Sequence, residues 1–443
     1  MKSLKSKNLS ILVAFLLQIM VPISSSSQED KGNNNFQLTS RNRSEIIEKT
    51  KEIFLEYYPL PEVSLKMINY LDEKQKKGDY DCFNNINNFT TQLTKDLRKI
   101  SNDDHIRVYP YEKIPDDLLS EIKLGYPENN YGFQKVEILT GNIGYINLTT
   151  FNNPKSAGPT AIAAMNFVSN SDALIIDLRL NGGGDESMAQ LISSYFFDKS
   201  THLTDNFIRK DSITEQRWTQ EWVSGPKIAA APIYILMSSY SYSSAEVLAY
   251  QLQQLERAKI VGEKTRGGVH GVRYMSFPDK LINLKVPYSQ DINPYSKTNY
   301  INGVIPDIPC SSNKALIVAH LEASKELLKT ETDSLKKYKL EWSIAEKEID
   351  LIPKIMDSFE LSEYQGVYRN VKISIEREVL ILKRGNSMKQ EMIPMGNDVF
   401  KYKDVSEEKY RIQFTRNENG IITGMYDFDS DGDKYPLKAR VNE

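Results

Sequence analysis

The alternation of apolar and polar positions divides the chain into segments of three kinds. Between Arg43 and Asp116 apolar residues recur at helical intervals: Ile46, Ile47, Ile53, Phe54 and Tyr57, then Leu65, Ile68 and Leu71, then Leu93, Leu97 and Ile100. Pro59 and Pro61 break the first helix from the second. From Tyr131 the pattern changes. Val136 and Ile138, a TGN turn, and Ile143, Tyr145, Ile146 and Leu148 predict a hairpin. PTAIAAMNFV predicts a helix from Pro159. The continuous apolar runs ALIIDL (173–178) and IYILM (233–237) predict buried strands, each followed by a helical pattern, and AKIVG and LINLKVPYS add further strands. Such alternation predicts βαβ units around a mostly parallel sheet. Lys199 to Lys227, with Trp218 and Trp222, has no strong period and reads as a loop or lid beside a cleft. Ser311 to about Leu351 is charged and helical, a docking helix or connector. The short runs VKISIE, VLILK, VFKYK, YRIQFT and ITGMYDF, separated by RGNS, MGND and RNENG, predict a small antiparallel barrel or sandwich.

The expected fold class is therefore α/β. A helical N-terminal subdomain (40–125) precedes an α/β core (126–315), a helical connector (316–355) and a small all-β C-terminal domain (356–443). With 443 residues the chain is too long for one compact core. Residues 1–27 read as a secretory signal: Lys2, Lys5 and Lys7, an apolar Ile11–Ile23 too short for a comfortable span, then Ser24–Ser27. Removal of that signal would leave no stable membrane span. Net charge is −3 and no basic stripe is present, so nucleic acid is not an expected partner. The two cysteines, Cys82 and Cys310, are compatible with a bridge or with separate thiols. No cysteine or histidine cluster has metal-ligand spacing, and no cofactor is expected. DFDSDGD (427–433) has the aspartate spacing of a calcium loop, but Lys438 stands where such a loop needs glutamate, so a polar hairpin turn is expected.

The chemistry concentrates where the apolar strand 233–237 breaks into SSYSYSSAE. A strand that turns into a helix through serines can lift a hydroxyl from the sheet edge and aim helix N–H groups at what it attacks. Spacing alone also allows a cap, since Ser243 and Glu246 fit a capping box. Upstream, ALIIDL runs into Arg179, Leu180, Asn181 and then Gly182, Gly183 and Gly184. Glycines at such a bend permit close backbone approach and can present N–H groups to an oxyanion. A bare tight turn is the alternative reading.

DLRLNGGG, then SYSSAE, then VGEKTRGG, in that order, resemble the serine peptidase superfamily of C-terminal processing peptidases, tricorn core proteases and interphotoreceptor retinoid-binding protein repeats. The resemblance covers roughly residues 45–315, and NYINGVIPDI resembles the family's closing segment. It implies a ClpP/crotonase-like core, with no room for the peptide-recognition module of one branch. It also implies that Ser243 is the nucleophile, with an oxyanion hole from the N–H groups of Ser243 and of Gly183 or Gly184. Arg179 and Asn181 then shape the glycine turn. Processing peptidases carry a lysine base where this chain has Gly268, so the general base passes to His105, in an aspartate-x-histidine turn, with His270 as the runner-up. Related sites hold a glutamate where Tyr300 and Asn302 stand here, and Glu263 is the candidate substitute. The implied activity is that of a secreted or periplasmic serine peptidase, cleaving peptides or extended chain ends through an acyl-enzyme. The alternative is an impaired peptidase fold that binds peptides or small apolar ligands. Oligomeric state is not legible.

Overall fold

A computed structural model describes residues 37–112, 127–403 and 410–441. The segment read as an export signal lies outside the described residues. The chain opens with three helices, α1 (Ser40–Tyr57), α2 (Pro61–Lys76) and α3 (Ile86–Ser101). Their ends follow local chemistry. Thr39 Oγ1 accepts the Asn42 N–H, Pro61 opens α2, Asn85 caps α3, and Asn102 closes it in the left-handed conformation. Their apolar stripes (Ile46, Ile47, Phe54, Phe89, Leu93) meet Ile282, Leu284 and Val286 of a sheet.

The central sheet is built from β2 (Phe133–Leu139), β3 (Ile143–Leu148), β4 (Ala173–Asp177), β7 (Ile233–Met237), β8 (Ala258–Gly262) and β11 (Ile308–Pro309), in the order β11-β8-β7-β4-β3-β2. Only the β2–β3 pair is antiparallel. Every residue of β4 and β7 is buried because helices cover both faces. Leu174 and Ile176 join the core against α4 (Pro154–Phe167), α5 (Glu186–Ser194) and α6 (Ser244–Gln254). Ile175 faces α7 (Ala315–Leu328) through Ala315, Ala319 and Ala323.

A second sheet holds β1 (Arg107–Pro110), β5 (His202–Ile208), β6 (Ile213–Trp218), β9 (His270–Phe277) and β10 (Ile282–Ile292). The expected loop at 199–227 is thus largely a hairpin, β5–β6, seated on β10 through Ile208–Ser289 pairing. Five of the six β6 residues are exposed, so an edge strand there shows no apolar alternation. Helix α4 begins at Pro154, capped by Asn153, with Pro159 inside it, and not at Pro159.

The expected connector is two packed helices, α7 and α8 (Ser334–Leu351), followed by the short α9 (Ser358–Ser362). The last eight strands form a closed antiparallel barrel: β12 (Gly366–Tyr368), β13 (Val371–Glu376), β14 (Val379–Arg384), β15 (Gln390–Gly396), β16 (Val399–Tyr402), β17 (Tyr410–Arg416), β18 (Ile422–Asp429) and β19 (Lys438–Val441). Closure removes both sheet edges. The DFDSDGD segment turns on Asp429, whose Oδ1 accepts the N–H groups of Asp431 and Asp433. Among the described residues no acidic, histidine and cysteine group could hold a metal ion, no helix is long and apolar enough to cross a membrane, and Cys82 and Cys310 are free thiols.

Candidate active site

Ser243 stands between β7 and α6 with φ 55° and ψ −123°, a conformation that costs a non-glycine residue of order 1–3 kcal/mol. The turn is held by hydrogen bonds to the glycine bend. Ser241 Oγ donates to the Leu178 carbonyl (2.8 Å), Ser238 Oγ to that of Arg179 (2.5 Å) and Ser244 Oγ to that of Gly184 (2.7 Å). Asn181, fully buried, donates to the Leu148 carbonyl (2.9 Å) and accepts the Gly183 N–H (2.8 Å), and its carbonyl accepts the Tyr242 N–H (3.2 Å). The serine turn and the glycine bend therefore lie side by side at one sheet end.

Glu246 is wholly buried and gathers three donors. The Ser243 N–H (2.8 Å) meets one oxygen; Thr265 Oγ1 (2.5 Å) and the Gly267 N–H (2.7 Å) meet the other. Burial nonetheless pushes its carboxyl up to about 7. The Glu246 N–H goes to the Ser243 carbonyl (2.7 Å), so the serine–glutamate spacing ties the main chain. Of the expected oxyanion donors, the Gly183 and Ser243 N–H groups are taken by Asn181 and Glu246. Among the described residues the N–H groups of Gly184 and Ser244 meet no acceptor.

The two candidate bases share one carboxylate. His105, in the loop from α3 to β1, has Nδ1 3.1 Å from Asp103 Oδ1. His270, at the start of β9, has Nδ1 2.7 Å from Asp103 Oδ2. Both rings are buried, and neither Nε2 has a partner among the described residues. These contacts hold the Asp103 carboxyl well below the ordinary carboxylate range despite its burial. Burial pushes His105 below its ordinary 6.5, because desolvation outweighs the aspartate, leaving a neutral imidazole beside an anion. The His105 ring stacks on Tyr242 at 4.6 Å, and Tyr242 Oη lies 3.0 Å from Nδ1. Tyr242 fits there because position 268 has no side chain: a Cβ on Gly268 would lie 2.4 Å from its ring. Lys285 of β10 adds a cation near Asp103, pushed down to about 8 by burial.

Glu263 lies elsewhere. Its oxygens accept the N–H groups of Ser239 (3.2 Å) and Ser312 (2.9 Å), joining two loops, and it bonds to neither histidine. Arg179 pairs with Asp177 and donates to the Ser312 carbonyl. Sequence reasoning missed the roles of Asp103, Tyr242 and Thr265. For Asp103 the signal was present, two residues before His105.

The strand–turn–helix serine thus stands beside a glycine bend, the Asp103–His105 turn leads into β1, and His270 opens β9 of the second sheet. Residues 142–310 match Peptidase family S41, and residues 36–129 match the N-terminal domain of Peptidase S41 in eukaryotic IRBP, so this part of the chain belongs to peptidase family S41. The chain is 32% identical over 128 residues to the Arabidopsis thaliana "Carboxyl-terminal-processing peptidase 2, chloroplastic", which is 28% of this chain and 24% of the relative. It is 27% identical over 173 residues to the "Carboxyl-terminal-processing protease" of a Picosynechococcus species, 37% of this chain and 38% of the relative. The matches thus span well under half of these relatives. Among solved structures, a lipoprotein from Streptococcus agalactiae aligns with TM-score 0.47 at 13% identity, over 69% of this chain and all of that one. The photosystem II D1 C-terminal processing protease aligns with TM-score 0.34 at 24% identity, over 39% and 43%.

Proposed function

We propose that this chain is a serine peptidase in which Ser243 Oγ attacks a peptide carbonyl and His105 Nε2 takes its proton. Asp103 accepts the Nδ1–H of His105 and so keeps Nε2 bare; it is a positioning residue. The collapsing intermediate expels the amine with that proton and leaves an acyl-Ser243, which water then hydrolyses by the same base. Gly184 and Ser244 supply the N–H groups that meet the oxyanion. His270 holds the second oxygen of Asp103. The observation that carries this reading is the buried, unpartnered Nε2 of His105, whose ring stacks on the residue next to Ser243. The names of the relatives favour the carboxyl ends of polypeptides as substrate, and the sequence of residues 1–27 favours export.

A fluorophosphonate probe tests the reading. Labelling is expected in the intact protein and in Ser239→Ala, and not in Ser243→Ala. An unlabelled intact protein favours a peptidase fold that binds without cleaving. Cleavage of a peptide with a free carboxylate, compared with its amidated form, tests the substrate end.

A further inference from the structure

The interior of the C-terminal barrel is divided along its axis. On a strand, residues two apart share a face. Leu380 and Leu382 are buried in the barrel core, and Arg384 follows on the same face. Phe400 is followed by Tyr402, Met425 by Asp427, and Ile412 is preceded by Tyr410. Lys438 lies directly opposite Met425. Each inward row thus begins apolar and ends polar, and the polar ends converge. One half of the barrel is filled by Tyr368, Phe400 and Phe414. The other half opens into a cavity of about 1190 Å³. That is ample for a small molecule, and barrel mouths are a recurrent place for one.

The charges at this mouth are built, and they do not cancel. Asp427 accepts from Arg384 Nη2 (2.5 Å), Tyr402 Oη (2.8 Å) and Lys438 Nζ (2.6 Å), so one carboxylate faces two cations. Lys389 and Lys403, also on the wall, are each paired with a glutamate, Glu376 and Glu391. Arg369 adds a third cation to the wall and the Asp429 carboxylate, which accepts from Tyr435 Oη, adds a second anion, so one surplus positive charge is shared by Arg369, Arg384 and Lys438. Arg384 Nε is buried and meets no acceptor among the described residues. A buried guanidinium N–H without an acceptor is costly, and an anion placed there would satisfy it. The remaining wall combines the aromatic and apolar Tyr410, Tyr435, Pro436 and Met388 with the polar Asn370, Ser387 and Gln390.

We propose that the barrel mouth is a binding site for a singly charged amphipathic anion, a carboxylate or sulfonate on an apolar body. The head group bonds Arg384 Nε and Lys438, and the body lies on the tyrosine and methionine wall. The site is independent of Ser243.

The test uses the full chain with 8-anilinonaphthalene-1-sulfonate and its uncharged counterpart N-phenyl-1-naphthylamine. At low salt the sulfonate is expected to bind saturably, one per chain, about tenfold tighter than the neutral probe, the scale of one charge-assisted hydrogen bond. Arg384→Met and Lys438→Met are each expected to weaken the sulfonate about tenfold and leave the neutral probe unchanged. Ser243→Ala is expected to bind as the parent does. Absence of saturable binding, or equal affinity of the parent for the two probes, overturns the proposal without recourse to any variant. Unchanged sulfonate affinity in both barrel variants overturns it as well.

Discussion

A Cβ placed on Gly183 would lie 2.7 Å from the Cβ of Ser243. No pair of real side chains tolerates that approach, and Gly183 has φ +102° besides, which L-residues rarely adopt. The glycine bend and the serine turn are packed so closely that any side chain at 183 must displace the hydroxyl. Gly183→Ala is expected to destabilise the fold by about 1–3 kcal/mol and to reduce fluorophosphonate labelling at least 100-fold, the scale of a lost oxyanion geometry. Melting temperature and labelling rate measure the two effects. Gly158→Ala is the control. It lies in α4 with open space around the position, and is expected to stabilise by about 0.5–1 kcal/mol with unchanged labelling.

The Nδ1 of His105 has two neighbours, Asp103 Oδ1 at 3.1 Å and Tyr242 Oη at 3.0 Å. They favour opposite tautomers. Donation from Nδ1 to the carboxylate leaves Nε2 free to accept a proton; acceptance from the tyrosine puts a hydrogen on Nε2 and removes the base. The anion makes the stronger bond, so the tautomer that the proposed mechanism requires is expected to dominate. Asp103→Asn is expected to lower kcat by about 10⁴ with little change in KM, as loss of a tautomer-setting carboxylate does. Tyr242→Phe removes the competitor, and its kcat is expected to stay level or rise. A fall in kcat for Tyr242→Phe comparable to that of Asp103→Asn would reverse the assignment.

Much of this arrangement was legible in the residues. The apolar runs 173–178 and 233–237 are long enough, and bounded sharply enough by small residues, to locate both turns of the site. The short strands after Leu361 foretold an all-β unit, and its eight-strand meander closes as a barrel. What escaped the sequence depends on contacts distant along the chain. Strand β6 is an exposed edge and carries no alternation. Pro159 reads as a helix start, yet Asn153 and Pro154 together form the earlier one. Glu263 has the right chemistry for an orienting carboxylate, but its oxygens are spent on the Ser239 and Ser312 amides. Asp103 reaches His270 across 167 residues, a separation over which local pattern carries no information.

Glu246 is expected to set the pH dependence of both stability and labelling. Burial lifts its folded value to about 7, above its ordinary 4.5. A group raised on folding stabilises most below its unfolded value, and that contribution is lost as pH rises toward 7. Between pH 4.5 and 7 this residue therefore works against stability with rising pH, and Glu246→Gln is expected to flatten that part of the melting-temperature profile. Activity runs the other way. The ionised carboxylate accepts the Ser243, Thr265 and Gly267 donors, so labelling is expected to rise through pH 7. His105, held below 6.5, does not account for an inflection there. In Glu246→Gln the acid limb of the labelling profile is expected to move below pH 6.5. An inflection that stays near 7 in that variant would assign it to another group.

The barrel is fastened to α8 by a buried charge network that shares no hydrogen-bond partner with the Ser243 turn among the described residues. Glu346 is buried and accepts from Lys401 Nζ (2.5 Å) and Arg411 Nη2 (3.0 Å), and the Arg411 guanidinium lies 3.7 Å over the Trp342 ring. Lys401 and Arg411 lie on the outer face of β16 and β17, alternating with the inward Phe400 and Ile412, so the network joins barrel to helix and leaves the barrel's own core intact. Removing the shared acid leaves two cations at the interface, of which Lys401 keeps Asp350 and Arg411 keeps the Trp342 carbonyl and ring. Breaking a buried pair in this way costs about 3–5 kcal/mol. Glu346→Ala is therefore expected to lower the barrel's unfolding midpoint and to expose 352–357, the segment between α8 and α9, to limited proteolysis. Labelling of Ser243 in the same variant is expected to remain within about twofold of the parent, as for sites without shared partners. Chemical denaturation followed by tryptophan fluorescence in a Trp218→Phe, Trp222→Phe background that leaves Trp342 alone, with labelling measured in parallel, separates the two. A matched loss of both would mean that barrel and site unfold as one unit.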